Sequence, residues 1–346
     1  MSLRSRHVRN GVASAVLAAA SALALVGCNA AAKAQAEPGG NGLTKVNFQL
    51  NFAPGGFNAG FAVAKQEGLY KKQGLEVTIT PGNGSATTAQ LVATGKADIA
   101  YADAVPVMQL IAKGAPIKII STIYQSSPNE VTVLDSSGAQ RIQDLKGKSV
   151  GVPSGSSQTP LLPLLFKANG MSPSDVKIVN LPTASMAPAL IQHKVDAILG
   201  SLDFYGIQLA KLGAKTKNFL FSEVGVPTVS TSVIARTSYL QSNGDTVKKF
   251  LAASIDGWQD AIKNPQQSAE DLAKTFQGVD KALSATQLQA INPLFCANGA
   301  KSFGKAEPAA WAKSQSILAQ AGSLPAGVDP TKYYTYDYLP ADLPPC

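Results

Sequence analysis

The 346-residue chain carries 30 Lys and Arg against 22 Asp and Glu, a formal net charge of +8. The basic residues form no Lys/Arg block of the kind that tracks a phosphate backbone, so nucleic acid is not an expected partner. The length suits one large domain or two lobes, and beyond residue 27 no run is long and apolar enough to span a membrane.

The chain begins with Arg4, Arg6 and Arg9, followed by an apolar run over residues 11–26 that contains no acidic residue. That is the pattern of a secretory leader. Leu25-Val26-Gly27-Cys28 looks like a bacterial lipobox, in which Cys28 takes lipid and becomes the mature N-terminus. The alternative is an ordinary secretory leader with a cysteine there by chance. Residues 1–27 are therefore expected to be a lipoprotein signal peptide, and residues 28–42, rich in Ala, Gly and polar residues, a flexible tether. Removal of the leader takes away three arginines and lowers the net charge from +8 to +5. A modest positive excess fits an anionic ligand or a membrane surface and specifies neither.

From residue 46 onward strands and helices alternate. Residues 46–50 read as a strand, 60–73 as a helix ended by Gly74, and 75–80 as a strand. A helix over 86–94, a strand over 97–101, a helix over 104–113 and a strand over 117–122 follow. The order then repeats: strand 149–153, helix 161–169, strand 176–181, helix 186–193, strand 195–199 and helix 205–212. The halves share a phrase, "AQLVATGKADIAYAD" against "APALIQHKVDAILGSLD". Each is an amphipathic helix, a lysine, an aspartate, a buried strand and a second aspartate. The expected fold class is α/β, with two similar lobes, each a mainly parallel sheet flanked by helices. Lobe 1 is expected over 43–134 and lobe 2 over 135–230. The β-branched runs 130–134 and 228–235 are candidates for the two crossings between lobes. Residues 231–346 return to lobe 1 with helices over 245–263, 265–276, 284–292 and 307–320, followed by a tail.

Several chemistries fail on spacing. Gly55 and Gly60 have P-loop spacing, but Phe61-Ala62 stands where Lys-Ser/Thr is required. Gly82-Asn83-Gly84 begins like a dinucleotide fingerprint, but Thr87 occupies the third glycine position. After the leader, His193 is the one histidine, and Lys194 and Asp196 beside it suggest a solvated helix end. No catalytic residue, metal or cofactor is expected. Asp103 and Asp203 either do acid–base work or cap the helices that follow them, and capping is the default.

Ligands of open α/β sheets sit beyond the carboxyl ends of the strands. The loops there are 51–60, 81–87, 102–104, 153–159 and 200–205. Helices starting near Ser85 and Thr159 would aim free N–H groups into a cleft, a geometry that suits a carboxylate, sulfonate or phosphate. Phe52 and Phe57 either form a flat wall for the ligand or belong to the core. The candidate contacts are Asn51, Phe52, Asn58, Ser85, Asp103 and Gln125 from one half, and Ser156, Ser157, Asp203 and Tyr205 from the other. Asn58 is either a ligand contact or a helix cap.

The set "NFAPGGFNAGFAVAKQEGLYKKQGLEV", "PGNGSATTAQLVATGKADIAYAD" and "DLKGKSVGVPSGSS" resembles the bacterial periplasmic solute-binding proteins of the thiamine-pyrimidine, alkanesulfonate, taurine and nitrate type. The resemblance runs from about residue 45 to 235. It implies a monomeric, non-enzymatic binding protein that closes two lobes on a small molecule and delivers it to the permease subunits of an ABC importer. The expected ligand is a small organic anion, and the alternative is a thiamine-precursor pyrimidine. The opening loop matches the family pattern at Asn51, Pro54 and Gly60, but Phe52 stands for Trp, Gly55 for Asn and Asn58 for His. Fungal pyrimidine synthases share the fold, yet their activity depends on a cysteine-rich stretch that has no counterpart here. With Cys28 assigned to lipid, Cys296 and Cys346 are an even pair in an oxidising compartment, and a disulfide between them is expected.

Overall fold

Apolar residues recur at every second position in Val46, Phe48 and Leu50 and in Leu75, Val77 and Ile79, and all six are buried. This alternation forms the first two strands of a sheet with one face against helices. The computed structural model describes residues 42–153 and 158–346, the side chain of Pro160 apart. The leader, Cys28, the tether up to residue 41, and Ser156 and Ser157 lie outside the described residues.

The strands are β1 (Thr44–Gln49), β2 (Leu75–Thr80), β3 (Ile99–Ala102), β4 (Ile117–Thr122), β5 (Asn129–Leu134), β6 (Ser149–Pro153), β7 (Lys177–Leu181), β8 (Ala197–Ser201), β9 (Thr216–Leu220) and β10 (Ser232–Arg236). They form two sheets of five, in the orders β2-β1-β3-β10-β4 and β7-β6-β8-β5-β9. In each sheet four strands run one way and one runs against its neighbours, β10 in the first and β5 in the second. Each antiparallel strand is laid down where the chain has just crossed between lobes. Strand pairing therefore starts the second lobe at Asn129, ahead of the boundary expected after residue 134, because Asn129–Val133 bond to β8 and Glu130–Leu134 to β9.

The helices are α1 (Ala59–Gln66), α2 (Leu69–Lys72), α3 (Ser85–Ala93), α4 (Ala104–Ala112), α5 (Leu162–Ala168), α6 (Met186–Ile191), α7 (Tyr205–Lys211), α8 (Thr237–Ser242), α9 (Gly244–Lys263), α10 (Pro265–Thr275), α11 (Lys281–Ile291) and α12 (Pro308–Gln320). In α9 the buried residues Val247, Phe250, Leu251, Ser254, Ile255, Trp258 and Ala261 fall at helical spacing on one face. That face joins Phe48, Phe61, Tyr101 and Val233 in the core of the first lobe. The other face of the same sheet packs on α3 and α4 through Ala100, Ala102, Ile119 and Ile234. In the second lobe Val131, Val150 and Leu199 pack with Leu165 and Phe166 of α5, and Ile198 packs with α6 and α7 on the opposite face.

Helix α12 departs from the expected return to lobe 1 alone. Its Trp311 and Leu318 lie in one continuous apolar cluster with residues of α3 and α4 and with Leu165 and Phe166 of the second lobe. Ser314 on the same helix accepts a hydrogen bond from the Val229 N–H, in the second crossing, at 2.9 Å. Cys296 and Cys346 are joined as a disulfide, with Cα atoms 5.4 Å apart.

Candidate functional site

The stretch 51–60 looks built for ligand approach, but its glycines face the protein. A Cβ on Gly56 would lie 2.0 Å from the Ser284 carbonyl oxygen of α11, and one on Gly60 would lie 2.2 Å from the Trp258 ring. The partner residue on α9 is also a glycine, since a Cβ on Gly257 would lie 2.4 Å from the Gly60 oxygen. Only glycine lets these backbones approach so closely. The Gly56 N–H donates to Gln287 Oε1 at 2.9 Å. The glycines thus dock the C-terminal helices on this loop.

What faces outward is the start of the loop. The Gly82 N–H donates to the Phe52 carbonyl at 3.0 Å and the Gly84 N–H to the Asn51 carbonyl at 2.7 Å. These bonds hold Asn51, Phe52, Asn83, Gly84 and Ser85 along one wall of a cavity of about 160 Å³. Tyr101, Asp103 and Tyr124 continue that wall from the ends of β3 and β4. The second lobe supplies the facing wall, from Pro153, Gln158, Thr183 and the stretch from Gly200 to Tyr205. The cavity therefore lies beyond the carboxyl ends of the strands of both sheets. Asn129 and Thr231, beside the two crossings, line it between the lobes. Phe52 and Phe204 meet across the lobes edge to face, with ring centroids 6.0 Å apart. Lys211 of α7 and Asp280, which caps α11, form an ion pair at 3.0 Å between the lobes.

Of the residues expected at the site, Asn51, Phe52, Ser85, Asp103, Asp203 and Tyr205 line this cavity. Asn58 and Gln125 do not. Asn58 is buried behind the wall and donates from Nδ2 to Asn51 Oδ1 at 3.3 Å. It makes no side-chain cap bond to α1, so neither expected role describes it; it props Asn51. Gln125 lies in the first crossing, where its N–H donates to the Leu294 carbonyl at 2.8 Å and its Nε2 to the Thr122 carbonyl at 3.0 Å. Its side-chain amide turns back on the end of β4, and its backbone N–H ties the crossing to the segment before Cys296. Ser156 and Ser157 lie outside the described residues.

The two aspartates differ. Asp103 is the N-cap of α4, as its position before a helix suggests. Its Oδ1 accepts from the Val105 N–H at 2.9 Å and its Oδ2 from the Ser230 hydroxyl at 2.9 Å. Burial pushes its carboxyl up to about 6 in spite of those bonds. Asp203 caps nothing; the residue preceding α7 is Phe204. Its Oδ1 accepts from the Ser201 hydroxyl at 2.5 Å, and burial raises its pKa. Behind it Glu130 on β5 is fully buried, with Oε1 accepting from Thr132 and Oε2 unpartnered. Burial, with Asp203 nearby, raises the Glu130 carboxyl to about 8.

The described lining contains no Lys, Arg or His. The organic anion expected from the overall positive excess therefore meets two buried carboxylates and no cation. Burial of a carboxylate disfavours a second negative charge beside it. Sequence reasoning passed over Tyr101, Tyr124, Asn129 and Phe204. Tyr101 and Phe204 sit within two residues of Asp103 and Asp203, so the shared phrase carried a signal for them; Asn129 carried none.

A family model described as NMT1/THI5 like matches residues 58–268. The riboflavin-binding protein RibY of Chloroflexus aurantiacus is 26% identical over 308 residues, 86% of this chain and 87% of that protein. A Haemophilus influenzae protein named for thiamine biosynthesis is 29% identical over 211 residues, 60% of this chain and 65% of its own length. Among solved structures, the periplasmic aliphatic sulphonate binding protein SsuA from Escherichia coli aligns with a TM-score of 0.68 at 19% identity, covering 84% of this chain and 92% of that one.

Proposed function

The chain belongs to the NMT1/THI5-like family, and from that premise we propose that it is an extracytoplasmic solute-binding protein that captures a small molecule between its lobes and passes it unchanged to an ABC importer. The observation that carries this reading is the cavity itself. It is lined from both lobes, beyond the carboxyl ends of the strands, by six aromatic side chains: Phe52, Phe57, Tyr101, Tyr124, Phe204 and Tyr205. Such a lining suits a flat ring held by a few polar groups. Its acceptor-rich character favours a nitrogen heterocycle over the carboxylate or sulfonate that the chain's net charge suggested. The likeness to a riboflavin binder supports the same preference.

Riboflavin, 4-amino-5-hydroxymethyl-2-methylpyrimidine, ethanesulfonate and nitrate should be compared by thermal shift, and any binder followed by small-angle scattering. A heterocycle is expected to raise the melting temperature, since ligand at about 100 times its Kd stabilises by about 2.7 kcal/mol. The same compound should lower the radius of gyration and be recovered chemically intact. Stabilisation by ethanesulfonate or nitrate alone would reverse the choice of ligand, and conversion of the bound compound would make the protein an enzyme.

The lipid anchor at Cys28 is part of this proposal and is supported by the lipobox-like Leu25–Cys28 stretch. Cys28→Ser is expected to move the protein from the membrane fraction to the soluble fraction. Unchanged fractionation would remove the anchor while leaving the cleft reading intact.

A further inference from the structure

Three polar side chains at the cavity have binding capacity that the protein does not use. Asp203 is 5% exposed, and its one bond from another residue's side chain is from Ser201; no cation faces it. Tyr101 is 1% exposed, lies near Tyr124 and Thr231, and forms no well-shaped hydrogen bond through its hydroxyl. Asn129 is 3% exposed and its Nδ2 has no partner. Unused polar groups of this kind are costly when buried, and a ligand that completes them recovers the loss.

The carboxylates decide the sign of that ligand. Asp103 has both oxygens engaged by Val105 and Ser230, so its role is satisfied within the protein. Asp203 lines the same cavity with no cation among its described lining, next in the chain to Phe204 and Tyr205, whose rings meet edge to face. A buried carboxylate next to aromatic rings is a receptor for a cation, because the carboxylate and the ring faces both attract positive charge in a poorly solvated space.

Resting on the cleft reading above, we propose that the ligand of this protein is a small aromatic cation, with a protonated N–H edge on Asp203 and an acceptor atom turned to Asn129 Nδ2. The Tyr101 hydroxyl closes the remaining polar edge. The shared chemistry is that of an amidinium or an aminopyridinium group: a planar positive N–H pair on a flat ring, matching a carboxylate in two parallel hydrogen bonds.

Benzamidinium, benzamide and benzoate share one ring and nearly one shape and differ in charge at one end, so they isolate this question. Each is titrated into the full exported chain, wild type and Asp203→Asn, with melting temperature and calorimetric affinity as readouts. Benzamidinium is expected to bind the wild type at least about 10-fold more tightly than benzamide, benzoate is expected not to bind, and Asp203→Asn should remove the preference for the cation. The isosteric asparagine removes the cost of ionising a buried carboxyl, so its melting point without probe should equal or exceed that of the wild type. Benzoate binding as well as benzamidinium overturns the proposal on the wild type alone, whatever the variant does. Retained cation preference in a folded Asp203→Asn overturns it too, as does a failure of benzamidinium to bind. If benzamide or benzoate binds and compacts the chain while benzamidinium does not, the cleft reading survives and the charge assignment fails. If no compound of either panel binds, both fail together.

Discussion

Replacing Cys296 and Cys346 together with serine is expected to lower the stability of the folded chain by about 4 kcal/mol. The bridge joins residues separated by 50 positions, and closing a loop of that length restricts the unfolded chain by about that much in the chain-entropy account. The bridge also holds native structure. The tail lies along the outer strand β4, where the Ile119 N–H donates to the Tyr333 carbonyl and the Thr335 N–H to the Ile119 carbonyl. It thereby covers a sheet edge that would otherwise present unpaired backbone. One turn further on, the Tyr336 hydroxyl accepts from Trp311 Nε1 at 2.8 Å and from the Ala306 N–H at 3.1 Å. The Cys346 N–H reaches the Lys301 carbonyl at 3.0 Å, and Asn298 Nδ2 donates to the Gln125 carbonyl at 2.6 Å. The bonded segment therefore touches the first crossing between lobes. Denaturant unfolding of the wild type, the double serine variant and reduced wild type tests this. The last two should lose the same amount relative to the first. Equal midpoints for all three would mean that the bridge adds nothing to stability.

The double α/β organisation was legible because it is written in local patterns. The period-two burial of Val46, Phe48 and Leu50 and the shared helix–Lys–Asp–strand–Asp phrase are contained within a dozen or so residues each, and they appear as β1, β3 and β8 in the structure. The β-branched runs 130–134 and 228–235 were expected to be the crossings themselves; the first is instead strand β5 and the end of the second is strand β10, each laid down just after a crossing. What could not be read was set at long range. Gly56 is a glycine because of Ser284, and Gly60 because of Trp258, partners about 200 residues away in the chain. A loop with three glycines looks open to a ligand when those partners are unknown. Net charge and local charge differ for a related reason. The net positive excess is a sum over the whole surface, while the described lining of the cavity holds Asp103 and Asp203 as its only ionisable acids or bases other than tyrosine. Gln125 and Asn58 were both expected to contact the ligand, and both turn inward to hold backbone or a neighbouring amide instead.

Glu130→Gln is expected to stabilise the protein without ligand, by an amount that grows with pH. Glu130 lies on β5 between β8 and β9, beneath the start of α7, where a Cβ on Gly206 would lie 3.6 Å from its Oε1. The groups that face it are the Thr132 hydroxyl on its own strand, Asn218 on β9 and the charge of Asp203 beyond β8. None is a cation, so burial is the largest influence and raises its pKa from 4.5 to about 8. The folded state then holds the proton more tightly than the unfolded state. Stability from this group is fully present below pH 4.5, where both states are protonated. It is lost as the pH rises to about 8, where the folded carboxyl must also ionise. At 1.36 kcal/mol per unit the full loss is about 5 kcal/mol, and about 3 kcal/mol of it has accrued by pH 7. Glutamine keeps the shape and does not titrate. The two proteins should therefore be about equally stable at pH 4, diverge between about pH 4.5 and 8, and run parallel above that. A smaller slope between pH 4 and 6 should remain in the variant, owed to Asp103, whose pKa is about 6. Parallel stability curves across this range would show that Glu130 is solvated or paired in solution. The expected divergence would show instead that the second lobe keeps a destabilising acid close to Asp203, which lines the cavity.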